Sequence, residues 1–376
     1  MQFKIDRSSL LKSLSHIQGV VERRNTIPIL SNVKIEADNS ALKFTATDMD
    51  VAITENIEAE VTTPGNITVP AHTFHDIVRK LPEDSQVECS YSEGDSAKTL
   101  KIIAAKCSFT LPVIEANDFP VIETGDITHS FSVTKKDFLK LLDKSKFAIS
   151  TEETRYYLNG IYLHDTQSNG NDVLRAVATD GHRLARIEVA LPEGAKGIPK
   201  IIIPRKTILE IKKVLDEDTE DQDIKVDISA TKIKLEYSNV VLISKLIDGN
   251  FPDYERVIPT NNTLTLKTKV KPLTTAIDRV STISSDKGKA VKLTLGDNKL
   301  VLSADNVEVG FAEEELPVDY ANDKIETGFN SKYLLELTSV LDGDTAEFHF
   351  SDGSSPTLVQ DLTDTSSLYV IMPMRI

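Results

Sequence analysis

"VPAHTFHDIVRKL" (69–81) recurs as "IPRKTILEIKKVL" (203–215) and "FNSKYLLELTSVL" (329–341). Aligned, the three put Phe74 with Ile208 and Leu334, Ile77 with Ile211 and Leu337, and Leu81 with Leu215 and Leu341. Those positions are i, i+3 and i+7, the apolar stripe of an amphipathic helix. Pro70 and Pro204 stand just ahead of the first two, where a missing N–H costs little. A pattern that returns twice at nearly constant spacing makes the chain a threefold internal repeat.

Two further landmarks keep step with the helix. "LKFTATDMDVAI" (42–53), "LRAVATDGHRLARI" (174–187) and "LVLSADNVEVGF" (300–311) each show an alternating strand, an Ala and an Asp before an outgoing strand. That pattern predicts a tight strand connection with Asp in the turn. "FKIDRSSLLKSLSHI", "FSVTKKDFLKLLDKS" and "LTLKTKVKPLTTAIDRV" open the units, each a short strand running into a helix. "ANDFP" (116–120) and "DGNFP" (248–252) close the first two alike. The reading is an α+β chain of three tandem units, 1–125, 126–250 and 251–376, each with two helices and antiparallel sheet.

With 376 residues, 40% hydrophobic and 27% charged, the chain has the composition of soluble globular protein. No apolar run approaches bilayer-spanning length, and the N-terminus lacks a signal-peptide core. Cys89 and Cys107 are too few for a disulfide framework and are expected as reduced thiols of a cytoplasmic protein. The net charge of −15 opposes a nucleic-acid partner at first sight. It is uneven, with −6, −1 and −8 over the three units, and basic residues cluster at 134–147, 204–215 and 266–273.

"GHRL" (181–184) is peculiar to the middle unit. With Asp180 it raises a second possibility, a hydrolase or transferase using Asp180, His182 and Arg183 as acid, base and anion clamp. No glycine-rich phosphate loop or Cys/His metal cluster accompanies it. Asp180 itself reads as a turn residue, because Asp48 repeats it in the first unit.

The repeat, together with "NTIPILSNV" (25–33), "TRYYLNGIYL" (154–163), "ATDGHRLA" (178–185), "GNFPDY" (249–254) and the terminal "MPMRI" (372–376), resembles the β subunit family of bacterial DNA polymerase III, the sliding clamps. The resemblance runs the length of the chain. It implies a non-enzymatic processivity factor without cofactor or metal: a head-to-tail homodimeric ring of six domains around duplex DNA. Its partners would be the polymerase III catalytic subunit, the clamp loader, and other polymerases and repair proteins carrying short peptide motifs.

Carried over by position, the resemblance implies a peptide pocket of Arg155, Leu158, Thr179, Gly181, His182, Arg183, Leu184, Pro252, Arg256 and Val257. Asn330, Tyr333, Ser354, Pro356, Val370, Met372, Pro373, Met374 and Arg375 would complete it. Tyr333 and Asn330 replace residues common to the first two units, and Gly288 and Ser354 depart from some relatives. DNA-facing candidates are Arg24, His72, Lys136, Lys140, Lys206, Lys212, Lys213 and Lys332, touching phosphates without reading bases. Glu152 and Glu153 make one expected DNA loop unexpectedly acidic. The implied dimer contact joins Phe109 and Leu111 to Thr282 and Ile283.

Overall fold

The computed structural model describes residues 1–23, 25–93, 98–218, 220–284 and 289–375; Arg24 and Gly288 lie outside the described residues. Six α-helices occur among them: α1 (Arg7–Gln18), α2 (Ala71–Lys80), α3 (Lys135–Asp143), α4 (Arg205–Glu217), α5 (Val270–Ser281) and α6 (Ser331–Thr338). There are two per repeat. The aligned stripe residues of α2, α4 and α6 are buried, apart from Ile77, which is half-buried beside buried Val78. Each fully buried side chain of this kind contributes roughly 1.5–3 kcal/mol. Pro70 stands at the start of α2 without a capping hydrogen bond, and Asn330 caps α6 by accepting from the Lys332 and Tyr333 N–H groups.

Among the described residues the strands form four antiparallel sheets, and the chain packs as two compact units that divide the middle repeat between them. The first unit holds residues 1–138, 193–198 and 206–246. Its five-stranded sheet runs Glu60–Thr63, Gln2–Asp6, Gln86–Glu93, Lys98–Ala104, Cys107–Pro112. Its eight-stranded sheet takes four strands from each of the first two repeats, joined where Val240–Lys245 pairs antiparallel with Val51–Glu58. The second unit holds residues 139–192, 199–205 and 247–376. It repeats the plan: an eight-stranded sheet joined where Arg183–Ala190 pairs with Asp364–Ile371, and a four-stranded sheet ending in Gly310–Pro317. A sheet continued across a repeat boundary satisfies backbone groups that would otherwise form exposed edges, so tight packing does not follow the repeat boundaries.

Ion pairs tie the repeats together inside each unit. In the second, Asp364 accepts from Lys140 Nζ at 3.0 Å, Lys144 Nζ at 2.9 Å and the Ser366 and Ser367 hydroxyls. Burial disfavours the Asp364 carboxylate, but these donors outweigh it and hold its pKa well below the usual carboxylate range. A depressed folded pKa means stabilisation present above the unfolded value of about 3.9 and lost as pH falls toward the folded one. Asp364→Asn should therefore cost about 2–3 kcal/mol at pH 7, because it leaves Lys140 without its anion and Lys144 with Asp342 alone. Urea unfolding at pH 7 and near pH 2 would check this, and the difference from wild type should shrink at the lower pH.

Candidate functional site

The Asp turn is built the same way in the first two repeats. Thr47 Oγ1 donates to the Val51 carbonyl and accepts from Met49 N–H; Thr179 Oγ1 does the same with Arg183 and Gly181. Asp48 Oδ1 accepts from the Asp50 and Val51 amides, and Asp180 Oδ1 from those of His182 and Arg183. The carboxylate is the local cap that closes the turn. Gly181 sits at φ +89°, where a Cβ would come within 2.6 Å of Arg155 Nη1. Met49 accepts the matching φ of +79° in the first repeat.

Arg183 does not behave as an anion clamp. Its guanidinium donates to Asp180 Oδ2 at 3.0 Å, to the Phe147 carbonyl at 2.5 Å and to Glu336, and it lies 4.2 Å over the Tyr333 ring. With each of its three nitrogens engaged, it stiffens the wall between turn and third repeat. His182 is exposed, stacks near Tyr333 at 6.3 Å, and its carbonyl accepts Met372 N–H at 2.8 Å. Among the described residues no group of His, Cys, Asp or Glu is arranged to hold a metal ion.

Beside this turn lies a predominantly apolar cavity of about 260 Å³. Arg155, Leu158, Thr179, Gly181, Arg183 and Leu184 line it from the middle repeat, Pro252 and Val257 from the connection, Val370 and Met372 from the C-terminal strand and tail. Tyr157, Asp253 and Tyr254 also line it, and sequence reading missed all three. Its floor is a buried cluster of Val177, Leu184, Tyr254, Leu368 and Val370. The volume falls just below the roughly 300–1,000 Å³ of drug-sized pockets and suits a few apolar side chains.

The other expected pocket residues stand outside the lining. Asn330 is occupied as the α6 cap, Tyr333 stacks on Arg183, and Met374 N–H bonds the Gly328 carbonyl. Pro373 is half-buried between these tail bonds and Arg375 is exposed. Arg256 pairs with Asp253 at 2.7 Å and is largely exposed. Ser354 donates to Asp352, and the Pro356 carbonyl accepts from Asn262. Glu152 grips Arg155 at 2.8 and 2.9 Å, which accounts for the acidic loop: it orients a cavity residue.

The first repeat has the corresponding groove. Phe119, Pro120 and Ile122 stand where Phe251, Pro252 and Tyr254 stand, over Ala52 and Ile243 in place of Leu184 and Val370, and the space shrinks to about 100 Å³. At this turn Lys206 crosses over, its Nζ donating to Asp48 Oδ2 and Glu22 at 2.6 Å and to the Val20 carbonyl at 3.0 Å. Burial pulls the ammonium pKa down, yet the two carboxylates outweigh it and the net shift is upward.

Most of the DNA-facing candidates already have partners within the chain. Lys206 is held by two carboxylates, Lys140 by Asp364 and Ser366, Lys212 by Asp216, and Lys213 by the Ser15 carbonyl; the His72 ring meets the Val21 carbonyl at 2.9 Å. Intramolecular anions and carbonyls already neutralise or orient these groups. Lys136 is exposed, and Lys332 is largely so, with Glu336 at 3.8 Å. Exposed Lys12, Lys80, Arg205 and Lys271 lie on α1, α2, α4 and α5 and were not among the named candidates, although Arg205 and Lys271 fall in the basic clusters of the sequence.

The expected dimer residues divide similarly. Phe109 is 37% exposed on the edge strand Cys107–Pro112, whereas Leu111 is buried in its own sheet. Thr282 is exposed and Ile283 half-buried at the end of α5, beside the other edge strand through the Arg279–Glu314 pair. That edge also exposes Phe311 (62%), with Val307 and Val309 in the preceding turn.

Known proteins match this chain along its whole length. The N-terminal-domain model of the DNA polymerase III beta subunit matches residues 1–123, the central-domain model 132–253 and the C-terminal-domain model 255–375. A beta sliding clamp of Caulobacter vibrioides is 47% identical over 376 residues, covering 100% of both chains, and one of Pseudomonas aeruginosa is 37% identical over 377, again covering both fully. The DnaN sliding clamp of Bartonella birtlesii bound to griselimycin has a TM-score of 0.95 and 44% identity over 100% of both chains. A DNA polymerase sliding clamp from Caulobacter crescentus gives 0.91 and 46% with the same coverage. An Asp turn that is a cap and not a catalyst, an apolar cavity wider at one repeat junction than at its counterpart and full-length likeness in sequence and structure lead to one conclusion: the chain belongs to the DNA polymerase III beta subunit family, the non-enzymatic DNA sliding clamps built of three tandem clamp domains.

Proposed function

We propose that the cavity at the Thr179–Leu184 turn receives short peptide segments of replication and repair proteins, the polymerase III catalytic subunit and clamp loader among them. The observation that carries this is the asymmetry between repeats: the groove is open and apolar at one junction and nearly closed at its counterpart. Met372 supplies an adaptable wall and Tyr254 a rigid floor. Griselimycin, the peptide-like ligand of the Bartonella birtlesii clamp, is the first probe: calorimetric titration should give saturable one-to-one binding per chain, and Leu184→Asp should abolish it.

Two chains, in this reading, close head to tail into a cytoplasmic ring around duplex DNA. The supporting features are the edge strand carrying Phe109, near exposed Lys101 and Lys106, and the edge strand carrying Phe311 with Glu313, Glu314 and Glu315. Apolar centres flanked by opposite charge suit a heterologous contact that closes on itself. Exposed helix cations such as Lys136 and Lys332 would touch phosphates weakly, so retention is topological. The clamp loaded on nicked circular DNA should therefore co-elute with it at 200 mM salt, where contacts to phosphates are weakened, and should be lost after one linearising cut. Persistence on the linear form would mean phosphate contacts, not closure, hold it.

A further inference from the structure

The cavity floor is held by a directional chain of hydrogen bonds that has no counterpart in the first repeat. Arg175 Nη1 donates to Tyr254 Oη at 2.8 Å, and Tyr254 Oη meets His164 Nε2 at 3.0 Å. His164 Nδ1 lies 3.1 Å from the Asp165 carbonyl. A carbonyl can only accept, so Nδ1 carries the proton and Nε2 accepts from the Tyr254 hydroxyl. Arg175 is itself anchored by Glu188 and by Glu255, the neighbour of Tyr254. The Tyr254 ring packs edge-on against Tyr162, which stacks on Phe251 at 4.7 Å.

Strand register gives the comparison. His164 lies directly across from Arg175, as Glu36 lies across from Lys43 in the first repeat. There Glu36 pairs with Lys34 and Lys43 at 3.1 and 3.5 Å, and Ile122 replaces Tyr254. A simple salt bridge beside the small groove has become a buried relay beneath the large one.

We propose that Arg175 and His164 are positioning residues of the peptide pocket, acting through Tyr254 to latch the Phe251–Val257 connection and set the pocket's width. This rests on the peptide-pocket reading above. Binding then costs less reordering of the connection than it would with a free loop. Burial, with Arg175 and Lys200 nearby, lowers the His164 pKa despite Asp165, so the imidazole is neutral near pH 7. Glu188, Glu255, Arg186 and Tyr162 complete the titratable surroundings. Protonating Nε2 would turn the acceptor into a donor and leave the Tyr254 proton without a partner.

Griselimycin binding to the full chain tests this by calorimetry between pH 7.5 and 5. Tyr254→Phe keeps the ring and should weaken binding about fivefold to tenfold at pH 7.5, with the melting temperature lowered by only a few degrees and the chain still folded. Wild-type affinity should fall at the acidic end, and the Phe variant's should stay flat. Arg175→Met should lose more than Arg175→Lys. The proposal is overturned if Tyr254→Phe binds within twofold of wild type and keeps the same pH profile while Leu184→Asp abolishes binding. If wild type does not bind, or Leu184→Asp binds normally, the pocket reading fails and the proposal with it.

Discussion

A form of the chain ending at Ile371 will lose peptide and griselimycin binding by about 30-fold to 1,000-fold while remaining folded. The size follows from removing a hot-spot wall, typically about 2–4 kcal/mol. Met372 lines the cavity, and the tail is pinned by bonds from Met372 N–H to the His182 carbonyl and from Met374 N–H to the Gly328 carbonyl. None of the described tail residues, 372–375, belongs to the buried core, and the strand Asp364–Ile371 keeps its partners on both sides. Anisotropy of a labelled peptide with two apolar anchors, alongside a thermal melt, separates lost binding from lost fold. Unchanged affinity would show that the tail is not part of the binding wall, and the pocket would have to be redrawn around Leu184, Val370 and the Phe251–Val257 connection.

The second large effect concerns assembly. Phe109→Asp should convert the dimer proposed above to a monomer at micromolar concentration, and Phe311→Asp should do the same from the opposite edge. A carboxylate placed in an apolar contact must be desolvated without a partner, which outweighs what a single aromatic anchor contributes. The proposed dimer should weaken with added salt, because Lys101 and Lys106 on one side and Glu313 and Glu315 on the other are exposed charges of opposite sign. Sedimentation equilibrium measures both. A dimer that survives the two substitutions would place the contact elsewhere on the surface, and Thr282 with Ile283 would be the next segment to alter.

Local chemistry was legible in the sequence. The stripe at Phe74, Ile208 and Leu334 depends on helical periodicity alone, and its burial follows wherever the helix docks. The Asp48 and Asp180 turns depend on amides two and three residues away, so the repeat of Ala-Thr-Asp was enough to read them as caps. Ten cavity residues were reachable because a family resemblance carries positions over one by one.

What only tertiary structure decided were pairings between residues far apart in the chain. Lys206 and Asp48 are 158 positions apart, Lys140 and Asp364 224, and Arg175 and Tyr254 79. A lysine in a basic run reads as a free cation until the fold delivers a carboxylate to it, and no local pattern records that delivery. Tyr254 was quoted inside "GNFPDY" yet not recognised as the cavity floor, because its anchors lie on two strands of another repeat. Edge and core are likewise properties of sheet order: Phe109 and Leu111 share a strand and a face, and only the assembled sheet exposes one and buries the other. Periodicity and capping act over a few residues and are written in the sequence; neutralisation, burial and exposure act through space and are set by the fold.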